Sequence, residues 1–118
     1  LAVMDVSFIS ATYIIPRVPE LLTENGLFIC LIKPQFEAGR AALNKQGVVK
    51  KQTDRLAAVL RVLQAAKAVG LTPAGLAPSP ILGGDGNEEF LALFCKGNAG
   101  ENREIPVEKV VYEKEVWR

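Results

Sequence analysis

Histidine is absent from the 118 residues. Without an imidazole the chain cannot assemble Ser-His or Cys-His nucleophilic pairs, or a His-ligated metal centre, from its own side chains. Cysteine is scarce. Cys30 and Cys95 each sit inside an apolar, strand-like run and in no metal-ligand spacing, so they read as buried, reduced core thiols. Charge of one sign is lacking too: 14 Lys and Arg stand against 13 Asp and Glu, a net charge of +1. No global field therefore drives the chain towards nucleic acid or an anionic membrane, although a local basic patch remains compatible with that balance. No apolar run approaches the length of a bilayer span, and no signal-peptide pattern is read before the first apolar run. The chain opens on Leu1, already in an apolar run and without an initiator methionine, which reads as a fragment: an excised domain or a processed product.

What is present is apolar: 49% of the residues are hydrophobic, enough for the core of one small domain. The organising stretch is LFICLIKPQFE, Leu27 to Glu37. Its continuous apolar part reads as a strand buried on both faces. Lys33 then stands where the strand leaves the sheet, the edge at which open α/β sheets bind ligands.

Around that strand the chain reads in order. Leu1 to Met4 is a short strand ending at Asp5. Ser10 or Thr12 can cap a helix over about Ala11 to Glu24, with Ile14, Ile15, Val18, Leu21 and Leu22 on its apolar face, a kink at Pro19 and a stop at Asn25-Gly26. Pro34 to Gln52 has no clear period and carries Arg40, Lys45, Lys50 and Lys51; it reads either as a solvated loop or as a phosphate-contacting lid. Thr53 or Asp54 caps the clearest helix, Arg55 to Val69. Leu56, Val59, Leu60, Leu63 and Ala66 face its core side, Arg55, Arg61, Gln64 and Lys67 point outward, and Gly70 ends it. Leu71 to Pro80 is extended, and Pro73 and Pro78 confine it to a sheet edge. ILGGDGN is a turn, and Glu89 to Lys96 a further apolar strand, antiparallel to its predecessor. The stretch 97–118 alternates weakly around Val107, Val110, Val111 and Tyr112 and is left as a polar tail of undecided structure. Strands alternating with helices, then a closing antiparallel pair, spell α/β architecture.

Four patches in order resemble one family: DVSFIS at Asp5–Ser10, LIKPQFEAGR at Leu31–Arg40, GVV at Gly47–Val49 and SPILGGDGNEEFL at Ser79–Leu91. Together they resemble the second half of the FtsJ-like domain of the hemolysin A (TlyA) family, which consists of S-adenosylmethionine-dependent ribosomal RNA 2′-O-methyltransferases. The resemblance covers residues 1–96. It implies a partial Rossmann-like methyltransferase sheet, strands four to seven with the last antiparallel, and flanking helices. It also implies ribosomal RNA as partner and a cytoplasmic location. Of the family's Lys-Asp-Lys-Glu catalytic group it implies Asp5, Lys33 and Glu89, with Glu88 on the other side of the strand and the first lysine upstream of Leu1. Asp5, Ser7 and Phe8 are the residues it directs to the cofactor, and Arg40, Lys45, Lys50 and Lys51 are the candidate RNA contacts. Since the glycine-rich cofactor loop is missing, weak or no cofactor binding and no activity are expected of the chain alone.

The chemistry fits those residue types. A ribose hydroxyl attacking a sulfonium methyl must shed its proton. A neutral lysine could take it, or a charged one could stabilise the developing alkoxide while carboxylates orient it; the sequence leaves both open. Topology alone sends Asp5 and Lys33 to the carboxyl ends of parallel strands and starts Glu89 at that same edge. Each residue singly has a plainer reading: Asp5 as a turn cap, Lys33 as a solvated strand end, Glu89 as a partner for any cation. Phe8 and Phe36 could stack on a base, though core packing is their commoner use, and Ser79-Pro80 reads as a turn at the rim. The rival of a different class is a non-catalytic, self-associating module: the Leu1–Met4 strand has a bare apolar edge, from which a homodimer is expected. A membrane-active hemolysin finds no support in these residues.

Overall fold

Two prolines decide the first departure from that reading. In the computed structural model of the chain, which describes residues 2–4, 11–82, 86–97 and 105–118, no continuous helix runs from Ala11 to Glu24. Instead there are two 3-10 turns, Ala11–Tyr13 and Ile15–Arg17, and a single α-turn, α1, Val18–Leu21. Pro16 and Pro19 each lack the amide that a longer helix needs, so the segment breaks up, and its last two pieces each carry a proline in the first turn. Ile15, Val18 and Leu22 are buried as expected, but Leu21 is 76% exposed. The loose carbonyls at the end of the segment are met by Lys96, whose Nζ donates to Pro19 O at 2.7 Å and Leu22 O at 2.8 Å.

The sheet has four strands: β1 Ala2–Met4, β2 Leu27–Ile32, β3 Leu71–Pro78 and β4 Phe90–Lys96. Their order is β1-β2-β4-β3. β1 and β2 run parallel, while β4 lies between β2 and β3, antiparallel to both. The architecture is thus mixed α/β with an antiparallel last strand. β3 occupies the edge that its prolines demand, with a register shift between Pro73 and Gly75.

Helix α2, Pro34–Glu37, follows β2, and the long helix α3 runs over Gln52–Ala68. The amino end of α3 departs from the reading: Lys51, not Thr53 or Asp54, is the cap residue, and it makes no side-chain cap bond. Asp54 still lies in the first turn, where a carboxylate suits the helix dipole. Its buried face is Ala58, Val59, Val62, Leu63 and Ala66. Leu60, expected in the core, is 39% exposed, and Arg55, expected outside, is turned inward. Gly70 at φ +82° ends the helix, a backbone angle that needs no Cβ.

The stretch left undecided contains a helix, α4, Val107–Glu113. Val107, Val110 and Val111 all enter the core. Their i, i+3, i+4 spacing is helical, but a run of β-branched valines also suits a strand, so periodicity and propensity disagree there. Beyond α4, Trp117 exchanges backbone bonds with Leu76 at 2.8 Å in each direction and so covers part of the β3 edge.

The core lies on one face of the sheet. Phe28, Cys30 and Ile32 of β2 and Phe90, Ala92 and Phe94 of β4 pack against α3, α4 and the first turns, with the Phe28 and Phe94 rings stacked at 5.8 Å. The other face is only half covered: Leu27 is 42% and Leu91 36% exposed, with Ile29, Leu31 and Leu93 intermediate. β2 is therefore buried on one face and partly open on the other, rather than buried on both. Cys30 and Cys95 form no disulfide and are buried on opposite faces, since Cys30 pairs in register with Ala92 and Cys95 with Leu27. Among the described residues no helix is long and apolar enough to cross a membrane.

Phe94→Ala is expected to cost about 3–5 kcal/mol in urea unfolding, because it empties a fully enclosed site. Leu91→Ala, on the open face, should cost about 1 kcal/mol or less. Equal costs for the two would contradict a one-sided core.

Candidate functional site at the end of the central strands

The register of β2 against β4 builds this end of the sheet. The last pair is Ile32↔Phe90, and both side chains face the core. Strand period two then turns the next pair, Lys33 and Glu89, towards the opposite face, and returns Glu88 to the core side. The contacts agree. Glu88 reaches Arg55 of α3 (Nη1 at 2.8 Å) and pairs with Lys114 beyond α4. Glu89 meets Gln35 of α2, whose Nε2 donates to Oε2 at 2.7 Å. Glu89 is only 6% exposed, so its carboxylate needs such a donor.

Lys33 ends β2 in an extended conformation and caps α2, with Pro34 at the first helical position. Its carbonyl accepts from Phe36 N at 2.9 Å. Glu89 is held through its backbone as well, its carbonyl accepting from Ser79 N at 2.8 Å. Ser79 and Pro80 line a cleft of about 350 Å³ that also reaches Leu82, Glu88, Glu89 and Val116. The structure thus brings Lys33, Gln35, Ser79 and Glu89 to one edge of the sheet. Asp5, Ser7 and Phe8 lie outside the described residues.

The Pro34–Gln52 stretch, read as a solvated loop or a lid, begins with α2 and then forms a fixed turn. Asn44 Oδ1 accepts from the amides of Gln46 and Val48, each at 2.9 Å, and Gly47 takes φ +78°. Val49 is buried and bridges back to Leu43. Asn87, itself 3% exposed, holds the turn with both ends of its amide: Oδ1 accepts from Val49 N and Nδ2 donates to Gly47 O, each at 3.0 Å. Arg55 Nη2 adds a bond to Val49 O at 2.7 Å. The backbone of Arg40 opens a 3-10 turn, Arg40–Ala42, while its side chain lies outside what is described. Lys45, Lys50 and Lys51 stand exposed around the held turn.

Beside this network, burial first and the nearby Arg55 charge second hold the Lys114 ammonium below the ordinary lysine range. Sequence reasoning gave no role to Asn87, Gln35, Arg55 or Lys114. The first two lie inside quoted motifs, GNEEF and KPQFE, and a buried amide there could have been weighed. The last two carry no local signal, since their partners are distant in the chain.

Asn87→Ala would strand the buried Val49 amide without an acceptor. The expected loss is about 1–3 kcal/mol, together with faster hydrogen exchange at Val49. Unchanged exchange at Val49 would show that Asn87 does not hold the turn.

Comparison with known proteins adds a family to this geometry. The profile described as "FtsJ-like methyltransferase" matches residues 1–96. The chain is 40% identical over 111 residues to a Bacillus subtilis protein named "Putative rRNA methyltransferase YqxC", covering 93% of this chain and 40% of that protein. It is 34% identical over 90 residues to the "16S/23S rRNA (cytidine-2′-O)-methyltransferase TlyA" of Mycobacterium tuberculosis, covering 76% of this chain and 34% of that protein. A solved structure described as "a putative hemolysin from Lactococcus lactis" superposes with a TM-score of 0.86 at 38% identity, covering 94% of this chain and 53% of that one. The chain thus spans 40% or less of the length of these two curated relatives. On the matched profile, the relatives and the shared sheet, the chain belongs to the FtsJ-like methyltransferase family.

Proposed function

We propose that this chain carries the catalytic edge of an RNA (ribose-2′-O)-methyltransferase, with Lys33 and Glu89, joined by Asp5, as its reacting group and ribosomal RNA as substrate in the cytoplasm. The observation that supports it best is the pairing of the two strand ends. Ile32↔Phe90 sets Lys33 and Glu89 side by side at one edge, and a neutral amide donor holds the Glu89 carboxylate. At such an edge the lysine cation stabilises the oxygen that develops negative charge as a hydroxyl attacks the sulfonium methyl, the fixed carboxylate orients that cation, and the hydroxyl proton passes to water as the carbon–sulfur bond breaks. Lys45, Lys50, Lys51 and Arg40 would meet phosphates beside it.

FtsJ-like methyltransferases generally use S-adenosylmethionine, which supplies an electrophilic methyl group when bound. The polar groups described at this edge, an ammonium, an amide and a carboxylate, suit a hydroxyl rather than a nucleoside cradle. The residues directed to the cofactor, Asp5, Ser7 and Phe8, are outside the described part. We infer that the chain by itself binds the cofactor weakly or not at all, because its glycine-rich stretch, ILGGDGN, reads as a turn between strands and opens no helix that could cradle a nucleoside. Calorimetric titration of S-adenosylmethionine into this chain, beside a version extended upstream through a glycine-rich loop, tests this. Heat of binding from the longer version only is the expected result. Comparable binding by the short chain would overturn that inference.

A second reading rests on a separate observation. β1 pairs only with β2 among the described strands, and the adjoining sheet face carries Leu27, Ile29, Leu31 and Leu91 half-exposed. Such an edge is a template for strand addition, and a homodimer through β1 is expected. Sedimentation should show a dimer at high micromolar concentration; a single monomeric species there would end this reading.

A further inference from the structure

The geometry points to Gln35 as a substrate-contacting residue, whose side-chain carbonyl accepts a hydrogen bond from a ribose hydroxyl of bound RNA. The inference rests on the methyltransferase reading and adds to it a residue that distinguishes ribose from deoxyribose. The amide is oriented by its neighbour: an ionised carboxylate only accepts, so the NH₂ end of Gln35 must face Glu89, as its 2.7 Å bond shows. The carbonyl end is thereby turned away from Glu89 and cannot flip without placing two acceptors together. That Oε1 is buried, and among the described residues it accepts no hydrogen bond.

A buried acceptor left empty is costly in a folded protein, and such groups recur where a ligand completes the site. Its position narrows the ligand. Gln35 is carried by α2, two residues beyond Lys33, and contacts the carboxylate at the edge where the hydroxyl would react. An acceptor there calls for a donor, and the 2′-hydroxyl is the donor that RNA has and DNA lacks. With its proton held towards Gln35, that hydroxyl turns a lone pair outward.

The test compares an oligoribonucleotide with the deoxy oligonucleotide of the same sequence, by fluorescence anisotropy on the whole chain. The wild-type chain should prefer RNA, and Gln35→Met, of similar size but without the carbonyl, should reduce that preference roughly two- to tenfold. A Lys45→Ala, Lys50→Ala, Lys51→Ala variant should weaken both ligands alike. Should Gln35→Met fail to fold, the side-chain amide resonance of wild-type Gln35 decides: it should shift on adding RNA and stay put with DNA. A preference that survives Gln35→Met, or a resonance indifferent to RNA, overturns the role of Gln35 and leaves the methyltransferase reading standing. No binding of RNA by the wild-type chain overturns both.

Discussion

The antiparallel ladder between β2 and β4 is the constraint from which the rest follows. β4 is inserted between two strands that run parallel to each other, so it is hydrogen-bonded along both sides. Its alternate residues Phe90, Ala92 and Phe94 make the centre of the core, and its first residues are delivered to the end of the sheet where β2 finishes. A slip of one residue would exchange the faces of every side chain on β4. Glu89 would then turn into the apolar core and Glu88 would lose Arg55. The fully buried row of aromatic and small residues resists that slip, so core packing also sets the geometry of the site.

The two neighbouring glutamates show how a strand end can serve two purposes. Glu88 faces α3 and α4 and ties them to the sheet through Arg55 and Lys114. Glu89 faces the other way and is held by a neutral amide. Removing Glu88 takes the carboxylate partner from Arg55, whose side chain is 11% exposed, which argues for a fixed scaffold. Among the described residues the second cluster holds its carboxylate by an uncharged donor, an arrangement that leaves lone pairs for a cation or a ligand. Asn87 precedes both and secures the 43–49 turn, so three successive residues position a loop, a helix pair and a carboxylate.

Much of this was legible from the residues because apolar runs and prolines act locally. LFICLI and FLALFCK announced strands, Pro73 and Pro78 placed β3 at an edge, and Gly70 marked the end of α3. The KPQFEAGR and GNEEFL motifs carried the family. Where local signals competed, the reading failed: prolines overruled the apolar spacing of 11–24, and valine branching concealed the helical spacing of α4. Leu60 and Arg55 changed places with expectation because α4 and Glu88, both remote in sequence, decide which side of α3 is covered. The role of Asn87 was hidden for the same reason, since its partners lie about forty residues away.

The half-covered sheet face explains why the sequence of β2 looked buried on both sides. Leu27, Ile29 and Leu31 are apolar without being enclosed by any described element, whereas an antiparallel sheet that faces water on one side usually alternates apolar with polar residues. Composition therefore specifies more burial than the described part of the fold provides. On α3 the excess is smaller: its exposed side carries Arg61, Gln64 and Lys67, with Leu60 as the exposed large apolar residue. The larger group of half-exposed apolar residues therefore lies on that face of the sheet, the side to which Lys33 and Glu89 turn. Whatever covers the sheet there must approach the Lys33–Glu89 edge as well, so on the proposed reading assembly and chemistry would meet on one surface.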